Sequence, residues 1–414
     1  MSKDLTERFE KYADLIIKVG LNLQKGQRLM IRAPIEAVEL TRALTAKAYD
    51  VGCPYVDVTF GDEELELIRF EHAPKDSFEE FPKWRVKGSI ERAEQGAAFL
   101  SIAGNNPDLL KDQDPEVVAL TRKVASEQSK PFSREYISNM RVSWCVISAA
   151  VASWAARVFS NEPEHRQVDL LWDAIFQMCR LGEPDPTAAW RDHIDALERR
   201  RAYLNDKAYT ALKYTAPGTD LTLGLPKGHI WKGGIDQNAD GTTFVPNIPT
   251  EEVFTLPDCN RVDGMVSSTK PLNYGGTLID NFSLTFQGGK VVGVEAETGR
   301  EVLKKLTETD EGAARLGEVA LVPHSSPIST FGKLFYNTLF DENASNHVAL
   351  GQAYSVCLEG GEAMAPDDFA RAGGNNSVTH VDFMIGSDEM DIDGILEDGS
   401  TEVVMRDGEW AFEA

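Results

Sequence analysis

"QRLMIRAPIEAVELTRALTAKAYDVGCPYVDVTF", residues 27–60, decides the fold of the first half of the chain. Residues 27–34 read as a strand, 35–52 as a helix and 54–60 as a second strand. That order implies two parallel strands joined by a right-handed helical crossover. The theme repeats outward from there. "GAAFLSIAG" (96–104) precedes the helical "DPEVVALTRKVASEQ" (114–128), and "RVSWCVISAAV" (141–151) precedes "ASWAARVF" (152–159). Before the opening strand, Leu5, Phe9, Tyr12, Ile16 and Ile17 form a stripe of 3.6-residue period that stops near Gly20. The first half therefore reads as an open, mostly parallel α/β sheet covered by helices. No G-x-G-x-x-G or G-x-x-x-x-G-K-[ST] follows any of these strands, so nothing supports a nucleotide site.

Residues 165–207 look all-helical, with Pro184 and Pro186 between two helices. From about 208 the texture changes to short strands and Gly, Asp or Asn turns, as in "TDLTLGLP", "GHIWKGG", "NADGTTF", "FSLTFQGGKVVGVEA" and "GILEDGSTEVVMRDGEWAF". One helix, "GREVLKKLTETDEGAARLG" (299–317), interrupts them. The expected organisation is an α/β domain over 1–205 and a β-rich α+β domain over 206–414.

The chain has 414 residues, 42% of them hydrophobic and 26% charged, which suits a folded protein of two domains. Its 42 basic against 66 acidic residues give a formal charge of −24, a field that repels phosphate backbones and anionic lipid. Nucleic acid and membrane partners are therefore not expected. The most apolar stretch, "VSWCVISAAVASWAA" (142–156), is shorter than the roughly 18 residues of a span and reads as a buried strand leading into a helix. Cys53, Cys145, Cys179, Cys259 and Cys357 are odd in number, scattered and without a C-x-x-C pair, pointing to reduced thiols in a cytoplasm. The charged, amphipathic start has no signal-peptide core.

In "NNSVTHVDFMIGS" (375–387) a histidine and an aspartate sit two apart in an otherwise apolar strand. Residues i and i+2 of a strand face the same way, so His380 and Asp382 point together at one spot. A metal ion, a catalytic dyad or a buried hydrogen bond would each repay their burial. H-E-x-x-H, G-x-S-x-G and any Cys–His motif are absent, which removes the usual zinc-protease, serine-hydrolase and cysteine-protease signatures. Other candidates stand at strand mouths. Glu318 follows Gly317 at the head of an apolar strand. Glu251 and Glu252 precede Val253 and face opposite ways, so at most one is expected to point inward. "FDENASNHVALGQAY" (340–354) brings Asp341, Glu342, His347 and Tyr354. Read as a strand, it leaves His347 and Tyr354 on different faces, while Ala349, Gly351 and Ala353 let backbone and ligand approach closely. Mixed histidine and carboxylate donors suit zinc, cobalt or manganese, and bridging carboxylates are typical of two-metal hydrolases.

Five stretches in order now carry a resemblance: residues 12–44, "NIPTEEVFTLPD" (247–258), "GEVALVP" (317–323), "FDENASNHVALGQAY" and "THVDFMIGS" (379–387). Over almost its whole length the sequence resembles the aminopeptidase T and aminopeptidase S family of dimetal exopeptidases, also called thermophilic metalloproteases. The resemblance implies two divalent metal ions held by Glu252, Glu318, Glu342, His347, His380 and Asp382, with Tyr354 near the reacting centre. It chooses Glu252 over Glu251 by family spacing alone. It also implies peptide substrates with a free N-terminus, a catalytic C-terminal domain and a homodimer. In the mechanism expected of such a site, Tyr354 bonds the tetrahedral oxyanion and Glu318 takes part in proton transfer. Glu251 or Asp341 would receive the substrate ammonium. A metal-dependent amidase acting on a non-peptide amide, or a non-catalytic binding module, are the alternatives.

Overall fold

A computed structural model describes residues 3–274 and 277–413. The chain forms two compact units, one of residues 1–193 with 235–249, the other of 194–234 with 250–414. The division falls inside a helix, and the short 235–249 segment returns to the first unit.

The first unit is built on strands β1 (Leu29–Pro34), β2 (Val56–Gly61), β3 (Ala98–Ala103) and β4 (Trp144–Ser148). They lie in the order β2-β1-β3-β4, every pair parallel, as residues 27–60 imply. The helix α1 (Lys3–Leu15) ends in a wider turn over Ile16–Gly20, and Phe9, Tyr12, Ile16 and Ile17 are buried. The Tyr12 hydroxyl donates to the Ser148 carbonyl at 3.3 Å, tying this helix to the end of β4. Phe9 meets the edge of Trp172 at 4.8 Å, so the apolar stripe docks on a later helix, Glu164–Met178. The crossover helix α2 (Val38–Asp50) buries Leu40, Leu44 and Ala48. Two helices that the sequence pattern left unmarked, α3 (Glu63–His72) and α4 (Lys83–Glu94), lie between β2 and β3; between them they bury only Ala93. Their charge-rich sequences have little apolar stripe to read. Further helices are α5 (Pro115–Phe132), α6 (Ala152–Val158), α7 (Glu164–Met178) and α8 (Pro186–Lys207).

The second unit is β-rich and antiparallel. Strands β5 (Ala211–Ala216) and β6 (Thr219–Gly224) start its larger sheet, while the two-residue β7 (Asp236–Gln237) and β8 (Thr243–Phe244) belong to the first unit. β9 (Val253–Thr255) belongs to a smaller sheet. β10 (Val262–Ser267), β11 (Leu272–Tyr274), β12 (Thr277–Gln287) and β13 (Lys290–Thr298) follow in the larger one. β14 (Leu316–Leu321), β15 (His347–Gly351) and β16 (His380–Met384) then complete the smaller sheet, in the order β16-β15-β14-β9. β17 (Asp391–Ile395), β18 (Thr401–Arg406) and β19 (Glu409–Trp410) close the larger one. One core joins the sheets: Leu212, Leu221, Val262 and Leu284 from the larger pack with Val319, Leu321, Val348, Leu350 and Phe383 from the smaller. Phe282 and Phe383 meet across them at 5.4 Å.

Two expectations fail locally. The helix read over 299–317 is only Arg300–Thr307 followed by a single tight turn at Gly312–Ala314. Asp310 draws the chain away, because its carboxylate accepts from Ala313 N at 2.7 Å and from Val378 N at 2.7 Å. "GHIWKGG" is not a strand and makes only isolated bridges at His229 and Lys232. Among the described residues no helix is long and apolar enough to cross a membrane.

Candidate metal centre

The four-stranded sheet has one greasy face and one chemical face. Alternation along its strands sends Val253, Val319, Leu321, Val348, Leu350 and Phe383 into the core. The opposite face therefore takes Phe254, Ala320, His347, Ala349, His380 and Asp382. Pairing fixes the rows. Ala320 lies opposite both Phe254 and His347, and Ala349 lies opposite both Glu318 and Asp382. The alanines leave open floor between the functional side chains.

Glu318 reaches this face through a local irregularity. Leu316 pairs with Leu350 and Glu318 with Ala349, so Gly317 is an extra residue in β14. In a regular strand Leu316 and Glu318 would face the same way. The bulge turns Leu316 into the core and Glu318 out to the site. Only glycine fits, since a Cβ on residue 317 would lie 2.2 Å from the Gly351 carbonyl oxygen. Gly351 is equally confined, at φ +105 with the Thr379 carbonyl 2.1 Å from any Cβ.

Five predicted ligands converge. His347 Nε2 lies 3.2 Å from Glu252 Oε2 and 3.6 Å from Glu318 Oε1. His380 Nε2 lies 3.3 Å from Asp382 Oδ1 and 3.8 Å from Glu318 Oε2. Among the described residues two groups present donor atoms mutually within 4.8 Å: Glu252–Glu318–His347 and Glu318–His380–Asp382. They share Glu318, whose two oxygens serve different histidines.

The donors fit cations better than they fit each other. Glu252 Oε2 and Asp382 Oδ1 are buried with no hydrogen bond, although a histidine nitrogen stands near each. Both imidazoles are oriented from behind. His347 Nδ1 donates to the Ser345 carbonyl at 3.1 Å and His380 Nδ1 to the Gln352 carbonyl at 2.8 Å. A carbonyl only accepts, so each Nδ1 carries the proton and each Nε2 is left to face the carboxylates.

The electrostatics agree. Burial, followed by the charges of Asp382 and Glu252, raises the Glu318 carboxyl in spite of the favourable contact with His347. Burial opposes a charged His380, but the Asp382 and Glu318 carboxylates outweigh it and lift the imidazole to about 9. Carboxylates this crowded need positive charge, and without a metal the histidines hold protons to supply it.

Glu342 belongs to neither group. It opens a single tight turn, Glu342–Ala344, after a four-residue helix, Thr338–Asp341. Burial first, then the charges of Glu252 and Asp382, push its carboxyl well above the usual range. Tyr354 arrives by an unexpected route. The stretch read as one strand is a strand only over His347–Gly351, and Tyr354 follows where the chain turns back. Its ring lies 5.0 Å from that of His380 and 6.2 Å from that of Phe254, and it is 48% exposed. Partial burial of the residue, followed by the nearby Glu318 and Asp382 charges, raises the pKa of the phenol and holds it protonated.

Glu251 and Glu252 are both buried, at 2% and 7% exposure, against the expectation that at most one turns inward. They precede β9, and the Glu251 N–H donates to Asn343 Oδ1 at 2.8 Å. The Asp341 carboxylate accepts from Phe335 N at 2.7 Å and from Asn337 N at 3.0 Å, one backbone donor on each oxygen.

The comparisons with known proteins identify the family. The family model described as thermophilic metalloprotease (M29) matches residues 5–410. Aminopeptidase AmpS of Bacillus subtilis is 48% identical over 98% of this chain and 99% of its own length. Aminopeptidase 2 of Geobacillus stearothermophilus is 49% identical over 98% of each. The solved structure of wild-type AmpT from Thermus thermophilus superposes with a TM-score of 0.92 at 45% identity, covering 98% of this chain and 99% of that one. A sheet face of histidines and carboxylates, on a chain matched end to end in sequence and fold, makes this protein a member of the thermophilic metalloprotease family M29.

Proposed function

We propose that this chain is a metal-dependent aminopeptidase that removes residues from the free N-terminus of peptides, with two divalent cations (zinc, cobalt or manganese) held by Glu252, Glu318, Glu342, His347, His380 and Asp382. The observation that carries this reading is the pair of donor groups joined at Glu318. Charge supports the number two: four carboxylates of the set balance two divalent ions, leaving both imidazoles neutral as ligands. The aminopeptidase names of relatives matched along their whole length support the reaction.

Such cations, when bound, lower the pKa of a coordinated water toward neutrality and polarise a substrate carbonyl. The protein's own groups do the rest. Tyr354, kept protonated, donates a hydrogen bond to the oxygen on which negative charge develops. Proton transfer to the leaving amine falls to a carboxylate of the cluster, with Glu318 taking part as the resemblance implies, because its two oxygens stand between both histidines at the centre of the donor set. The resemblance further leads us to propose a homodimer and a cytoplasmic setting, in keeping with five buried cysteines that are all free thiols.

The test compares leucine p-nitroanilide with its N-acetylated form, before and after chelation. Cleavage of the free-amine compound alone, lost on chelation and restored by zinc, cobalt or manganese, is the expected result. Equal cleavage of both compounds would make the enzyme a general amidase, and activity that survives exhaustive metal removal would end the metal reading.

A further inference from the structure

Behind the carboxylates lies an asparagine without solvent contact. Asn343 is 0% exposed and follows Glu342 directly. Its Oδ1 accepts from the Glu251 N–H at 2.8 Å, and its Nδ2 donates to the Leu339 carbonyl at 3.0 Å. Its own carbonyl accepts from Ser326 Oγ at 3.4 Å. The amide thus ties the segment carrying Glu251–Glu252 to the helical turn carrying Glu342, two stretches far apart in sequence. Glu252 precedes a strand of only three residues, and Glu342 opens a turn of three.

We infer that Asn343 is the positioning residue of one cation position, the one formed by Glu252, Glu318 and His347, and that it acts by fixing the Glu252 and Glu342 carboxylates relative to each other. The other position does not depend on it. His380 and Asp382 stand on β16, whose register with β15 is set by a continuous backbone ladder from His347–Met384 to Gly351–His380. Although the turn that carries Asn343 packs against β16, none of the hydrogen bonds of its amide goes to that strand, and the His380 ring is fixed by the Gln352 carbonyl instead. The inference follows from the general role of hydrogen bonds behind a ligand: their loss typically weakens metal binding by about 10–100-fold without removing a donor.

This inference rests on the two-cation reading above, and the experiment separates their failures. Metal-free protein is titrated with Co²⁺, followed by calorimetry and by the visible absorption of bound cobalt, for wild type, Asn343→Ala, Asn343→Asp, Glu252→Ala and His380→Ala. Circular dichroism confirms folding of each. In Asn343→Ala one of the two binding events should weaken at least 10-fold, and it should be the event that Glu252→Ala abolishes. The event that His380→Ala abolishes should stay within about threefold of wild type. Asn343→Asp keeps an oxygen to accept from Glu251 N and should recover part of the loss; it also serves if the alanine variant does not fold. Equal weakening of both events, or no change in either, would overturn the inference. A wild-type protein that binds no Co²⁺ would instead overturn the two-cation reading.

Discussion

A phenol surrounded by carboxylates is a donor that stays a donor. With burial and the charges of Glu318, Asp382, Glu342 and Glu252 all raising its pKa and so opposing ionisation, Tyr354 keeps its proton through the working range of a peptidase. Tyr354→Phe removes only that hydroxyl. If the donor serves the transition state, kcat should fall by roughly 10²-fold or more while metal content stays unchanged. Steady-state kinetics beside metal analysis check this, and an unaltered rate would return Tyr354 to a packing role against Phe254. His380 and Asp382 act as one unit on one strand, 3.3 Å apart. Alanine at either should cost bound metal and nearly all activity, and the double variant should be little worse than either single one. A buried hydrogen-bonded pair with no metal would behave otherwise: each single variant would lose a few kcal/mol of stability and leave metal stoichiometry intact.

At the scale of the element, the site is a strand pattern with one deliberate fault. Period-two alternation made His380 and Asp382 legible in sequence, because their neighbours Val381 and Phe383 declare which face is buried. The crossover units of the first half were legible for the same reason, since "LMIRAP" and "VDVTFG" bracket an apolar helix of clear period. The bulge was not. Gly317 announces a break in β14, but only the pairing of Leu316 and Glu318 with adjacent residues of β15 reveals that it flips the carboxylate. The resemblance named Tyr354 and Glu342, but their placement could not be read from periodicity because they ride on turns, where side-chain direction depends on tertiary contacts. Asn343 gave no signal at all, as its partners Glu251 and Leu339 are set by the fold. The bulge also carries a prediction. A methyl at Gly317 would collide with two backbone oxygens, Gly351 O at 2.2 Å and Gln352 O at 2.5 Å, neither of which can swing aside. Gly317→Ala should lower stability in urea by roughly 1–3 kcal/mol or more. Because Glu318 belongs to both donor groups, folded variant protein should bind both cations more weakly. Unchanged stability with unchanged metal binding would mean the bulge is incidental.

For the whole molecule, all the donors lie in the second compact unit, so bound metal should stabilise that unit by mass action. At a metal concentration 100 times a site's Kd the gain is about 2.7 kcal/mol. Scanning calorimetry should show the transition of the second unit falling by several degrees on chelation, with the first unit's transition unmoved. A shift confined to the first unit would contradict this assignment. The central claim is narrower: one face of the four-stranded sheet holds two cations around Glu318. Metal per chain, measured on folded wild type and folded His380→Ala after dialysis against trace zinc, tests it most directly. The account predicts two ions in wild type and no more than one in the variant. Two ions retained in folded His380→Ala would contradict it.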